Sequence, residues 1–196
     1  MKSLMQMSNE ELWELFPIIL KEYDPRWPAW YEQEAALVKK AVGEERVLRL
    51  SHIGSTSVPE LLAKPTVDIL MEISGETENE GLIAALERVG YLFAPQPNKP
   101  APHMMFMKGY SPEGFLERVF HLHVRYLGDW DELYFRDYLC IHEEAREQYA
   151  ALKMRLQQKL EHDRDGYTDA KGAFVREITQ LAREEIGKRH RPARQG

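Results

Sequence analysis

The chain has 196 residues, 30% of them charged and 43% hydrophobic, which fits one domain that buries its own core without disulfides or structural metal. No apolar run approaches the ~20 residues of a membrane helix. A net charge of −6 argues against nucleic acid as a partner over the whole surface, because polyanions seek a basic excess.

The opening Met1 to Glu10 stretch lacks the continuous apolar core of a signal peptide, so a cytoplasmic protein is expected. Ser8 supplies an N-cap ahead of Leu12, Leu15, Phe16 and Ile19, predicting a short helix that Pro17 bends or ends. The run Tyr23-Asp24-Pro25-Arg26-Trp27-Pro28-Ala29-Trp30-Tyr31 is an aromatic, proline-rich connector into a helix from about Trp30 to Val42. Alternation predicts strands over Arg46 to Ile53 and Thr66 to Ile73. In the second, Val67, Ile69, Met71 and Ile73 share one apolar face, while Thr66, Asp68, Leu70 and Glu72 share the other.

An amphipathic helix over Glu76 to Val89 is closed by Gly90, and Tyr91-Leu92-Phe93 begins another extended piece. Four prolines between Ala94 and Pro102 predict a surface loop or lid. Two strands, His103 to Lys108 and Leu116 to Tyr126, are joined around Gly109 to Gly114. From Asp131 the pattern is helical: Asp131 to His142, Glu144 to Asp163, and Thr168 to Lys188, with Gly166 at a break. The lone cysteine, Cys140, lies on this helical pattern and reads as a buried small hydrophobe. These elements predict an α+β (mixed α/β) domain over 1–196, with an N-terminal extension over 1–22 and a flexible basic tail over 189–196.

Three stretches carry chemistry. In Ile53-Gly54-Ser55-Thr56-Ser57, backbone amides freed by Gly54 and three hydroxyls follow a strand, an arrangement suited to phosphate oxygens. Asp68 sits on an apolar strand where an unpaired carboxylate is expensive. Its partner is Lys64, Arg125, or a divalent cation shared with His121 and His123. Period two puts His121, His123 and Arg125 on one strand face. The two imidazoles, with Cα atoms roughly 6.5 to 7 Å apart, reach one metal or one phosphate. Glu72 lies about 13 Å further along its strand than Asp68 and reads as an end-of-strand surface group.

Tyr23-Asp24-Pro25-Arg26-Trp27-Pro28, His52 to Pro59, Lys64-Pro65-Thr66-Val67-Asp68-Ile69, His121-Leu122-His123-Val124, Phe135-Arg136-Asp137-Tyr138-Leu139 and Tyr167 to Phe174, in this order, resemble the GrpB family. That family is similar in fold to the nucleotidyltransferases, a short mixed sheet flanked by helices, and is sometimes fused to dephospho-coenzyme A kinase. The resemblance implies that Gly54 and Ser55 hold the terminal phosphates of a nucleotide and that Asp68 is the first acid of an Asp-x-Asp/Glu pair. Leu70 stands where the second acid belongs, and the third metal-binding position falls on the histidine strand. Lys171 is either a phosphate contact or a solvated helix lysine, while Arg136 and His142 read as anchors of the C-terminal helices.

The expected function is a Mg²⁺- or Mn²⁺-dependent nucleotidyltransferase-like protein acting on a nucleoside triphosphate and a small acceptor. Asp68, His121 and His123 would be catalytic and metal-binding, with Gly54, Ser55, Thr56, Ser57, Lys64, Arg125 and Lys171 around the phosphates. The alternative is a catalytically reduced module that keeps the phosphate pocket, sensing a nucleotide or a coenzyme A precursor; Leu70 favours it. A His/Asp metal hydrolase is a third reading. No membrane partner is expected, and the sequence is silent on oligomeric state.

Overall fold

A computed structural model describes residues 4–96, 98–100 and 102–193. Its helices are α1 (Asn9–Leu15), α2 (Trp27–Val42), α3 (Asn79–Arg88), α4 (Asp131–Ile141), α5 (Glu143–Leu160), α6 (Arg164–Ala170) and α7 (Gly172–Ile186). Its strands are β1 (Val47–Ile53), β2 (Thr66–Ile73), β3 (Leu92–Ala94), β4 (Met104–Ser111) and β5 (Gly114–Tyr126). They form one mixed sheet in the order β1-β2-β5-β4-β3. The β2–β5 pair is parallel and the other pairs are antiparallel. This is the expected α+β architecture, with strands in the middle of the chain and a helical C-terminal part. Among the described residues no helix is long and apolar enough to cross a membrane.

The two sheet faces have different fates. Val67, Ile69, Met71 and Ile73 of β2 and Phe120, Leu122 and Val124 of β5 pack with Trp27, Trp30, Val38 and Val42 of α2 and Leu82 and Leu86 of α3 in the main core. Burying a side chain of this size is worth about 1.5 to 3 kcal/mol, so this layer fixes the strand register. The opposite face meets the C-terminal helices. There Leu70 packs with Ile53 and Leu133, and Leu139, Ala145, Tyr149 and Ile178 close a further cluster over Val58 and Leu61.

Several expectations change. Glu72 is fully buried rather than at the surface. It pairs with Arg49 of β1, whose Nη2 donates to Oε1 at 2.7 Å, and accepts the Gly128 N–H at 2.9 Å, so the buried carboxylate is satisfied from within the protein. Cys140 is exposed. The inward residues of α4 are Leu133, Tyr134 and Leu139, and one further residue turns the side chain by about 100°. The β4–β5 turn shrinks to Pro112 and Glu113, because Gly109 lies in a bulge of β4 where a Cβ would meet the backbone of Arg118 and Val119.

The last expected helix is two, α6 and α7, meeting at Lys171. Gly166 is inside α6, where its N–H donates to the capping Asp163 carboxylate at 2.8 Å. In the stretch expected as a solvated tail, His190 is docked, its Nε2 at 2.8 Å from Asp137 Oδ2 and its C=O accepting from Arg49. Residues 194–196, like Pro97 and Ala101 of the proline loop, lie outside the described residues. Arg136 and His142 do anchor helices: Arg136 donates to His52 C=O at 3.0 Å, and His142 Nε2 meets Glu185 Oε2 at 2.9 Å.

Candidate metal and phosphate site

β1 ends at Gly54, whose φ of 69° and ψ of −175° are open to glycine and strained for other residues. The Asp68 side chain lies so close to Gly54 that a Cβ there would collide with its carboxylate. The turn's backbone and the carboxylate therefore touch without an intervening side chain. One turn of 3-10 helix, Ser55–Ser57, follows. Its hydroxyls diverge. Thr56 is buried and donates to Thr66 C=O at 3.1 Å, and Ser57 donates to Gly54 C=O at 2.6 Å. Both brace the turn from inside, whereas Ser55 Oγ accepts from the Lys153 ammonium at 3.2 Å.

Parallel pairing sets Asp68 opposite His121 and Leu70 opposite His123. Asp68 Oδ1 lies 3.4 Å from His121 Nδ1 and 3.3 Å from His123 Nε2, and one ligand atom from each of the three residues lies within 4.8 Å of the others. Burial raises the Asp68 pKa, but its contacts with the two imidazoles outweigh this and hold it below the usual carboxylate range. Burial pushes His121 down against the pull of Asp68, which favours the neutral ring that metals bind. Tyr110 Oη sits 2.7 Å from His121 Nε2 and orients the ring with Nδ1 toward Asp68.

A carboxylate with two imidazoles fits a divalent cation. Nitrogen donors suit Mn²⁺ or Zn²⁺ better than Mg²⁺, which prefers an all-oxygen octahedron. Leu70 is fully buried against Ile53 and Leu133 and supplies no ligand; the donor at that level of the sheet is His123, across the ladder.

Around this point stand four cations. Lys64 Nζ lies 5.5 Å and Lys171 Nζ 4.4 Å from the ring centroid of buried Tyr167. Lys153 reaches Ser55 and also donates to Leu62 C=O. Arg164 donates to Phe16 C=O at 2.9 Å and touches Tyr110 Oη at 3.4 Å. Burial, helped by neighbouring cations, pushes Lys64 and Lys153 down to about 7 and Lys171 down to about 8. The Tyr167 hydroxyl is buried with no partner among the described residues. Asp68 is the one carboxylate whose charge Lys64 and Lys171 feel among the described residues, so cations outnumber it here and an anion would restore the balance.

Arg125 is not brought to Asp68. It stands opposite Glu72, its Nη1 donates to the carbonyls of Met104 and Val124 at 3.2 and 2.8 Å, and its guanidinium lies 6.0 Å from the Trp130 ring. Beside Asp68, His123 and Gly54 opens a cleft of about 670 Å³ that Trp130, His103 and Arg183 also line, within the range of small-molecule sites.

Sequence reasoning missed Lys153, Arg164 and Tyr110. The first left a signal: Ala145, Tyr149 and Lys153 recur every four residues on the buried stripe of α5, and a lysine on an apolar stripe is out of place without a reason. Arg164 and Tyr110 reach the site through tertiary packing alone.

Residues 17–181 match the sequence pattern of the family described as GrpB protein. The chain belongs to the GrpB family. A UPF0157 protein of Pseudomonas aeruginosa is 37% identical over 168 residues, covering 85% of this chain and 67% of that one. A UPF0157 protein of Halalkalibacterium halodurans is 34% identical over 175 residues, covering 84% and 82%. The crystal structure of the conserved protein GrpB from Enterococcus faecalis superposes with a TM-score of 0.74 at 30% identity, covering 86% of this chain and 99% of that one. The matched span, residues 17–181, takes in the whole sheet, the Gly54 turn, α4 to α6 and most of α7.

Proposed function

We propose that this GrpB protein binds a nucleoside triphosphate together with a divalent cation and transfers the nucleotidyl group to a small acceptor. The observation that carries this reading is the convergence of Asp68, His121 and His123 on one point beside the Gly54 turn, with Lys64, Lys153, Lys171 and Arg164 gathered around it. Asp68 Oδ1, His121 Nδ1 and His123 Nε2 would hold the cation, which supplies Lewis-acid stabilisation of phosphoryl charge. Lys153 and Lys171 would neutralise the negative charge that grows on the departing pyrophosphate. The Trp130 and His103 side of the cleft offers ring surface for a base.

A second reading is favoured by buried Leu70: one metal-binding acid rather than two leaves a pocket that binds a phosphorylated ligand without turning it over. A thermal-shift titration with nucleoside triphosphates, with and without Mn²⁺ or Mg²⁺, tests the site. The wild type is expected to be stabilised only when metal and triphosphate are both present, with Asp68→Asn unresponsive; a ligand at 100 times its Kd adds about 2.7 kcal/mol. An equal response from the variant removes this site. Pyrophosphate release on adding acceptors separates the transferase from the binding module.

A further inference from the structure

The motif Asp24-Pro25-Arg26-Trp27 takes no part in the site above, yet it lines a separate cavity of about 280 Å³. Asp24 accepts from the Arg26 backbone and guanidinium, which lays Arg26 over Trp30 at 5.1 Å. Trp27, Trp30, Ile19 and Leu116 supply apolar and ring surface. The charged lining is unequal. Asp24 and Glu117 both face Arg26, at 2.7 and 3.9 Å, whereas Lys21, Lys64 and Arg164 have no carboxylate in ion-pair contact among the described residues. The cavity therefore joins apolar and ring surface to a lining of four cations, Lys21, Arg26, Lys64 and Arg164, against two carboxylates, Asp24 and Glu117.

It adjoins the candidate metal and phosphate site through shared cations. Lys64 and Arg164 line both, the charge of Lys64 is felt at His121 and Asp68, and Thr66, also in the wall, is two residues before Asp68 on β2. The volume lies just below the usual range of ligand pockets, enough for a small molecule and too little for a second nucleotide.

Resting on the nucleotidyl-transfer reading, we propose that this cavity is the acceptor pocket and that the acceptor is a small molecule with an apolar or ring body and an anionic headgroup, a carboxylate or a phosphate. The body lies against Trp27 and Trp30, and the headgroup points to Lys64 and Arg164. A headgroup oxygen forms the new bond to the α-phosphorus, the bond from that phosphorus to the α–β bridging oxygen breaks, and pyrophosphate leaves with the electron pair. No proton has to be removed from an acceptor that is already ionised. Such a step makes no call on the two imidazoles, which are in contact with Asp68.

The test is tryptophan fluorescence and calorimetric titration with phenyl phosphate, benzoate and neutral benzyl alcohol, on wild type, Lys21→Glu, Leu116→Trp and Asp68→Asn. Lys21 and Leu116 are exposed lining residues outside the metal site. At least one anion is expected to bind the wild type and Asp68→Asn, to weaken at least tenfold in Lys21→Glu and Leu116→Trp, and to exceed benzyl alcohol. Whichever anion binds identifies the headgroup. Binding of neither anion, or equal binding by Lys21→Glu and Leu116→Trp, overturns the pocket. Anion binding here without any metal-dependent triphosphate response leaves a ligand site standing and removes its role as acceptor pocket, so the two readings fail separately.

Discussion

The carboxylate of Asp68 lies against Gly54, so close that any side chain at residue 54 would collide with it. Two segments distant in sequence thereby share one small volume, and the acid that meets His121 and His123 is positioned by the lack of a side chain at residue 54. Gly54→Ala is expected to drive Asp68 away from His121 and His123 as well as to strain a backbone at φ 69°. Unfolding should show a loss of at least about 1 kcal/mol, and Mn²⁺ titration should show loss of binding. Retained Mn²⁺ affinity in a folded variant would contradict the placement.

Glu72 and Arg49 predict a stability effect without a site effect. Removing the charge of a fully buried carboxylate leaves Arg49 and the Gly128 N–H short of an acceptor. Glu72→Ala should cost about 3 kcal/mol in denaturant unfolding, less than the largest buried-pair losses because Arg49 is 26% exposed. Metal and triphosphate responses measured well below the new midpoint should be unchanged; a neutral effect on stability would show that the pair contributes nothing.

His52 stacks on Tyr31 and its Nε2 lies 3.0 Å from Thr56 Oγ1. Burial pushes it down to about 4, against the pull of Asp68 and with help from Arg136. The unfolded chain, titrating near 6.5, therefore binds more protons than the folded one between pH 6.5 and 4. The stability that His52 contributes by staying neutral is complete above pH 6.5 and is lost as pH falls toward 4, a change of up to about 3 kcal/mol. Thermal midpoints of wild type and His52→Gln across that window should converge as pH falls; a constant difference would rule out His52 as the source.

The lysine cluster predicts the opposite trend for anions. Lys64 and Lys153 near 7 and Lys171 near 8 are charged at pH 6 and mostly neutral at pH 9. Sulfate, whose own charge does not change in this range, should bind at least tenfold more weakly at pH 9 than at pH 6. Calorimetry on wild type and Lys171→Gln checks this: the variant should bind more weakly at pH 6 and show a shallower slope. A pH-independent sulfate affinity would place the anion elsewhere.

Local pattern alone determined much of this molecule. Period-two alternation in Thr66 to Ile73 and Phe120 to Tyr126 assigned Asp68, His121 and His123 to polar faces before any pairing was known, because a strand's side-chain period is fixed by its backbone. The ordered motifs from Tyr23 to Phe174 pointed to the GrpB family, and the C-terminal helices showed in their apolar spacing. Only tertiary structure decided that β2 and β5 are parallel neighbours in a register that sets Asp68 beside His121. It also sent Arg125 toward Trp130 instead of Asp68, turned Thr56 inward, buried Glu72, and brought Lys153 to Ser55 and Arg164 to the Tyr110 that contacts His121. The reason is physical: periodicity tells which face a side chain is on, whereas its partner depends on which elements pack there, and that is chosen by burial of the whole core.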